Sequence, residues 1–172
     1  MAEISLITIT DVQGYRRVDP KFDVTRFNTF VMEAQRTNLR GLFGDALYYA
    51  FMSDTRISGI YKELLDGKTY TYNNETIMFY GLKPALCYWW LAIAAREGDL
   101  FLSGYGAIQY TNNPQQNFES SKEKERIAVG YIQTAQGYAD DIVKFLDENA
   151  SIYSLWKNNE EVNSINFVSF RL

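Results

Sequence analysis

The stretch "PALCYWWLAIAA", residues 84–95, carries no charge and no polar face. A helix that is apolar all round must be surrounded on every side, by protein or by lipid. Lipid is excluded by length, since a membrane-spanning helix needs roughly 20 apolar residues, and Lys83 and Arg96 close the run at both ends. The stretch therefore predicts a central helix, residues 82–96, with the rest of the chain arranged around it. Pro84 is tolerated because it falls in the first turn, where its missing N–H has no helical partner to lose.

Working upstream, "TYTYNNETIMF", residues 69–79, reads as a β-hairpin. Asn73-Asn74 tolerates the left-handed conformations that a tight two-residue turn requires. Before it, Ile57, Ile60, Tyr61, Leu64 and Leu65 line one face of a short helix, 55–65, capped by Ser53 or Asp54 and ended by Asp66-Gly67. Earlier still, Asp23 caps a helix in which Phe27, Phe30, Val31, Ala34 and Leu39 recur at helical spacing. A kink is expected near Gly44, followed by a second helical stretch through "DALYYAFM".

Downstream, Ser120 and Glu123 have the spacing of a capping box. Ile127, Tyr131, Ala135, Tyr138, Ile142 and Phe145/Leu146 then trace one apolar stripe. This predicts a long helix, 121–148, closed by Asn149, and roughly 42 Å long at about 1.5 Å per residue. "SIYSLW" reads as a last turn held by Trp156. Between the central and long helices, residues 98–117 form the longest segment without helical signal; loops of this length are usually functional or flexible.

The fold class is thus mainly α: a bundle of four to five helices with one hairpin and extended N- and C-terminal arms. One domain is expected over residues 1–172, with an N-terminal arm at 1–20, the bundle at 21–157, and a linker and strand at 158–172. The arms are "ISLITI", residues 4–9, and "INFVSFRL", residues 165–172. In the second, Ile165, Phe167 and Ser169 alternate with Asn166, Val168 and Phe170. An apolar strand without a partner invites association.

Composition points away from nucleic-acid binding as a free-standing activity, because the net charge of −4 leaves no basic surplus. Aromatic content is high, with 13 Tyr and 11 Phe, residues that fill cores and recur at protein contacts. Charge is uneven. Residues 16–40 carry Arg16, Arg17, Lys21, Arg26, Arg36 and Arg40 against Asp19, Asp23 and Glu33. Residues 133–163 carry Asp140, Asp141, Asp147, Glu148, Glu160 and Glu161 against Lys144 and Lys157. Such regions meet between subunits or stand as solvated faces. The single cysteine, Cys87, reads as a small buried hydrophobe. It allows no internal disulfide, which fits a reducing compartment, and the first ten residues read as no signal peptide.

Chemistry-bearing motifs are scarce. The chain has no histidine, which removes the commonest general base and metal ligand. One cysteine builds no thiolate metal site. Neither phosphate-binding glycine motif occurs, and Gly104-Tyr105-Gly106 is a lone G-x-G. Asp140-Asp141 are adjacent on a helix, so their side chains diverge. "KEKER", residues 122–126, has mixed sign and reads as a solvated face. Neither an enzyme nor a cofactor or metal is expected.

The order of elements resembles the small helical head–tail connector (adaptor) proteins of tailed bacteriophages. It is most similar to the variant found in phages and prophages of gut Bacteroidales, crAss-like and related. The resemblance is carried by "KFDVTRFNTFVMEAQRTNLRGLFGDALYY" (21–49), "YKELLDGKTYTYNNETIMFYGLKPALCYWWLA" (61–92), the loop containing Gly104, and "YADDIVKFLDENASIYSLW" (138–156).

What it implies is a virion protein made in the host bacterial cytoplasm. Its copies form a ring of roughly twelve-fold symmetry through head-to-tail contacts that close. The ring sits under the portal protein, meets adjacent neck or tail proteins, and passes DNA without sequence specificity; no membrane is involved. The resemblance suggests Ile4, Leu6, Ile9, Arg16, Arg17, Ile165, Phe167, Val168 and Phe170 as subunit interface. It suggests Phe101, Tyr105, Gln109 and Tyr110 as a portal or channel loop. Two alternatives stand beside it: another neck or tail completion protein, usually β-rich, and a soluble helical binding module whose apolar pocket is walled by 84–95.

Overall fold

A computed structural model describes residues 4–18, 22–53, 59–97, 101–103, 106–108 and 121–157. The described elements are α1 (Ile9–Tyr15), α2 (Val24–Ala34), a π-turn (Gln35–Leu39), α3 (Arg40–Ser53), α4 (Gly59–Asp66), β1 (Lys68–Tyr72), β2 (Glu75–Phe79), α5 (Lys83–Arg96), β3 (Phe101–Ser103), β4 (Gly106–Ile108) and α6 (Ser121–Glu148). The protein is mainly helical, as the sequence predicts.

Helix α5 is the axis of the fold. Every residue from Pro84 to Ala95 is buried except Ile93, which is partly so. It lies along α6, with α1 and α2 against its other sides. Alanines on both helices, Ala85, Ala92 and Ala95 on α5 and Ala128, Ala135 and Ala139 on α6, are fully or almost fully buried. Residues this small let two helices approach closely. At one end the Arg96 guanidinium donates two hydrogen bonds to Glu125, at 3.1 and 2.9 Å, and joins α5 to the start of α6.

The aromatic residues are spent largely on the core. Trp90 sits among Phe22, Phe27 and Phe30, with ring centroids 5.2, 5.0 and 6.3 Å away. Its indole N–H donates to the Phe27 carbonyl at 3.1 Å, fixing the only polar atom of the side chain.

Local chemistry explains the boundaries. The Asp23 carboxylate accepts from the Arg26 N–H at 2.7 Å and caps α2. The kink expected near Gly44 is present: that residue has φ 70° and ψ 166° inside α3. Asn73 and Asn74 both take left-handed dihedrals, φ 50° and 63°, and close the hairpin β1–β2. At the far end Asn149 donates its side-chain amide to the Phe145 carbonyl and ends α6. Trp156 folds back, its indole N–H donating to Asp147 at 2.8 Å.

Three findings go beyond the sequence reading. Residues 4–8 are non-helical as expected, but Ile9–Tyr15 is a helix, so the extended N-terminal arm is shorter than residues 1–20. The cause is a capping box that composition hid. Thr8 accepts from the Asp11 N–H, and the Asp11 carboxylate accepts from the Thr8 N–H. The helix α4 is described from Gly59; of its two expected caps, Ser53 ends α3 and donates its hydroxyl to the Ala50 carbonyl, while Asp54 lies outside the described residues, as does Ser120 of the second capping box. Finally, the loop expected at 98–117 contains a second small hairpin, β3 paired antiparallel to β4 with Leu102 opposite Ala107.

Candidate interaction surface

Helix α6 carries the first hairpin on its last turns. β1 and β2 pair antiparallel with Tyr70 opposite Ile77 and Lys68 opposite Phe79. Because side chains alternate, Tyr70, Ile77 and Phe79 share the inner face. Phe79 stacks flat on Phe145 at 4.0 Å and 4°. Tyr70 meets the same ring edge-on at 5.1 Å, and its hydroxyl donates to the Glu148 carboxylate. Burial first, and this bond second, push the Tyr70 phenol far above its ordinary pKa. The hairpin is thus anchored on one side only.

The other side faces solvent. Thr69, Thr71, Thr76 and Met78 are all exposed, Met78 by 58%. With a two-residue turn between Tyr72 and Glu75, the pairs 72/75, 70/77 and 68/79 exchange backbone hydrogen bonds. The N–H and C=O groups of Thr69, Thr71, Thr76 and Met78 therefore point outward along the two edges. Natural sheets guard such edges with lysine, proline or bulges. Neither strand has a bulge or proline, and the one lysine, Lys68, is occupied by Glu63 at 2.7 Å.

A second surface lies around α1. Tyr88 of α5 is ringed by Tyr15, Tyr131 and Tyr138 at 5.8, 6.2 and 5.9 Å, and Tyr138 leads on to the exposed Tyr80 at 6.4 Å. The Arg16 guanidinium lies 5.4 Å from the Tyr88 ring centre, in cation–π range. Burial is the main reason the phenols of Tyr15, Tyr131 and Tyr138 sit above their ordinary pKa. Below this array Lys83 bridges to Asp66 at 2.7 Å and reaches Asp11 at 3.9 Å, tying α1, α4 and α5 together. Hydrogen bonds from Lys62 and then Lys83 hold the Asp66 carboxyl below the usual carboxylate range.

The interface residues expected from sequence separate here. Arg16 and Arg17 are exposed and Ile4 is 44% exposed, whereas Ile9 is half-buried against the core. Leu6 is a correction: it is buried in its own chain's core beside Ile7 and is not offered to a neighbour. Phe101 begins β3. Tyr105, Gln109, Tyr110, Ile165, Phe167, Val168 and Phe170 lie outside the described residues. Among the described residues no three His, Cys, Asp or Glu converge on a metal-sized site. Cys87 is buried, and burial pushes its thiol far up from the ordinary range.

The reason Leu6 turns inward is Gln35, which sequence reading passed over. It is fully buried at the start of the π-turn. Its side-chain carbonyl accepts from the Leu6 N–H at 2.8 Å, and its amide donates to the Ile4 carbonyl at 3.1 Å. One side chain thus pairs with the arm as a neighbouring strand would. Gln35→Leu keeps the volume but leaves both backbone groups of the arm without that partner. The expected cost is about 2–4 kcal/mol in urea unfolding, with cleavage near residues 4–8 by added protease appearing first. An unchanged unfolding midpoint would show that the arm is held by its leucine and isoleucine alone.

Among the described residues no helix is long and apolar enough to cross a membrane. A family model described as "Family of unknown function (DUF6712)" matches residues 39–166, about three quarters of the chain. No curated protein and no solved structure matches it.

Proposed function

The chain belongs to the DUF6712 family, whose function is unknown, and from its order of elements and its exposed hairpin we propose that it is a structural subunit of the phage neck. In this reading it is a head–tail connector whose copies form a ring of roughly twelve members beneath the portal and extend the DNA channel toward the tail. The protein is made in the host bacterial cytoplasm and ends in the virion. Its partners are other copies of itself, the portal protein and adjacent neck or tail proteins.

The observation that supports the reading is the hairpin β1–β2, rooted by Phe79 on Phe145 and bare on its outer face. A closed ring needs two different patches on each copy, one giving and one receiving, and an unguarded strand edge is a receiving patch. The Tyr80–Tyr138–Tyr88 array beside Arg16 is a second, chemically distinct surface. Asp140, Asp141 and Asp147 are exposed along α6; a wall of this sign repels passing DNA and leaves it free to slide. The rival reading as a binding module with a pocket beside 84–95 is weakened by the packing of Phe22, Phe27 and Phe30 onto Trp90.

Light scattering on the full-length protein, alone and with the portal present, tests the proposal. A ring-shaped species of many copies, seen also by electron microscopy, is the expected result. A species that stays monomeric even with the portal would overturn it.

A further inference from the structure

We propose that the open edge of the hairpin β1–β2 receives residues 165–172 of a second copy, which add a third strand to the sheet. The inference rests on the reading of this chain as an assembling subunit, and it names the segment that joins one copy to the next.

Three observations converge on it. The first is the edge itself: Thr69 and Thr71 on one side, Thr76 and Met78 on the other, all exposed, with backbone groups turned outward. Strand addition to such an edge gains affinity from main-chain hydrogen bonds and register from alternate side chains. The second is the pattern of "INFVSFRL", uncharged until Arg171 and alternating with period two. Laid against the hairpin, Ile165 and Phe167 would extend the aromatic face that Tyr70, Ile77 and Phe79 present to α6, while Val168 and Phe170 would cover Met78. The opposite facing is equally regular, and a one-residue slip exchanges the two.

The third observation is where the described chain ends. Tyr153 meets Phe145 edge-on at 5.7 Å, and its hydroxyl donates to the Ile60 carbonyl at 2.9 Å. Phe145 is the same ring that carries Phe79 and Tyr70. The chain therefore leaves the bundle beside the root of its own hairpin. Residues 158–164, "NNEEVNS", separate that exit from Ile165. Fully extended, they span about 24 Å, more than the roughly 17 Å length of a five-residue strand. The spacer is polar and longer than the chain's own edge requires.

The test uses full-length protein in two distinguishable forms, one carrying a mass tag. One form carries Thr71→Cys or, separately, Thr76→Cys; the other carries Ser169→Cys. The forms are mixed under mild oxidation and separated by mass. The expected result is a mixed disulfide dimer from one of the two hairpin edges. Lys144→Cys, exposed on α6, should give none with Ser169→Cys. Adding Val168→Pro to the Ser169→Cys form should cut the yield at least ten-fold, since proline removes a donor from the added strand.

No mixed dimer at either edge would overturn the proposal. So would a double variant in one chain that closes on itself and leaves mixed species absent, because the segment would then serve its own hairpin. Ring formation with the portal is read separately. Rings without the cross-link sink this inference and leave the proposed function standing. The cross-link without rings does the reverse.

Discussion

Trp90→Ala is expected to remove about 3–5 kcal/mol of folding stability. That is a large share of the roughly 5–15 kcal/mol that holds a typical domain together. The ring is completely buried on the central helix and touches three phenylalanines from two parts of the chain. Phe22 comes from the segment before α2, and Phe27 and Phe30 from α2 itself, so the cavity would open where separate elements meet. Little collapse is available there, because aromatic neighbours are rigid. The lost indole hydrogen bond adds a smaller share, about 1 kcal/mol. Trp90→Phe separates the two terms, since it keeps a ring and loses the N–H. Urea denaturation followed by circular dichroism measures both. A loss below about 2 kcal/mol for the alanine variant would mean that the core is not centred on this residue.

Gly81→Ala should come close to this in size through a different cause. Gly81 has φ 80° and Gly67 has φ 90°, both in the left-handed region. A Cβ on Gly81 would lie 2.4 Å from the Leu65 carbonyl oxygen and 2.5 Å from the Gly67 nitrogen. A Cβ on Gly67 would lie 2.4 Å from the Phe79 carbonyl oxygen. The two glycines thus lie back to back where α4 leaves and α5 begins. Nearby, the Leu82 N–H donates to the carbonyls of Leu64 and Leu65. The obstacle is backbone on both sides, so no rotamer change relieves it. Left-handed strain alone costs on the order of 1–3 kcal/mol. With the displaced backbone added, about 3 kcal/mol or more is expected, together with weakened anchoring of Phe79 on Phe145. Thermal unfolding of Gly81→Ala and Gly67→Ala is the measurement. A shift of only a degree or two in either variant would contradict the crowding.

Much of this architecture was legible in the residues. An uncharged run flanked by Lys83 and Arg96 has one compact solution, and α5 takes it. Asn73-Asn74, Pro84 and the stripe from Ile127 to Leu146 are local signals with local causes, and the structure follows them. The reading failed where the cause was not local or not apolar. Helix α1 depends on the Thr8–Asp11 capping box and buries only Val12, so no apolar periodicity announces it. Leu6 looked free because its partner, Gln35, lies 29 residues away. The tyrosine array was read only in part: Tyr131 and Tyr138 share the α6 stripe, but Tyr15, Tyr80 and Tyr88 come from other parts of the chain, and only folding brings them together. Of the surface assigned here, the exposed hairpin was visible as a hairpin. Its bare outer face was not, because threonine and methionine alternate as readily toward a core as toward water.

The π-turn between α2 and α3 has a bearing on the ancestry of the chain. A π-turn holds one residue more than the α-turn it replaces, so the segment 35–39 reads as a helix that has absorbed a single-residue insertion. The residues on either side, Phe27 to Ala34 before it and Leu42 and Phe43 between it and the Gly44 kink, present buried side chains to the core. What the insertion adds is the inward reach of Gln35. Deleting one residue between Ala34 and Arg40 is expected to close the π-turn to an ordinary helical turn and release the clamp on residues 4–6.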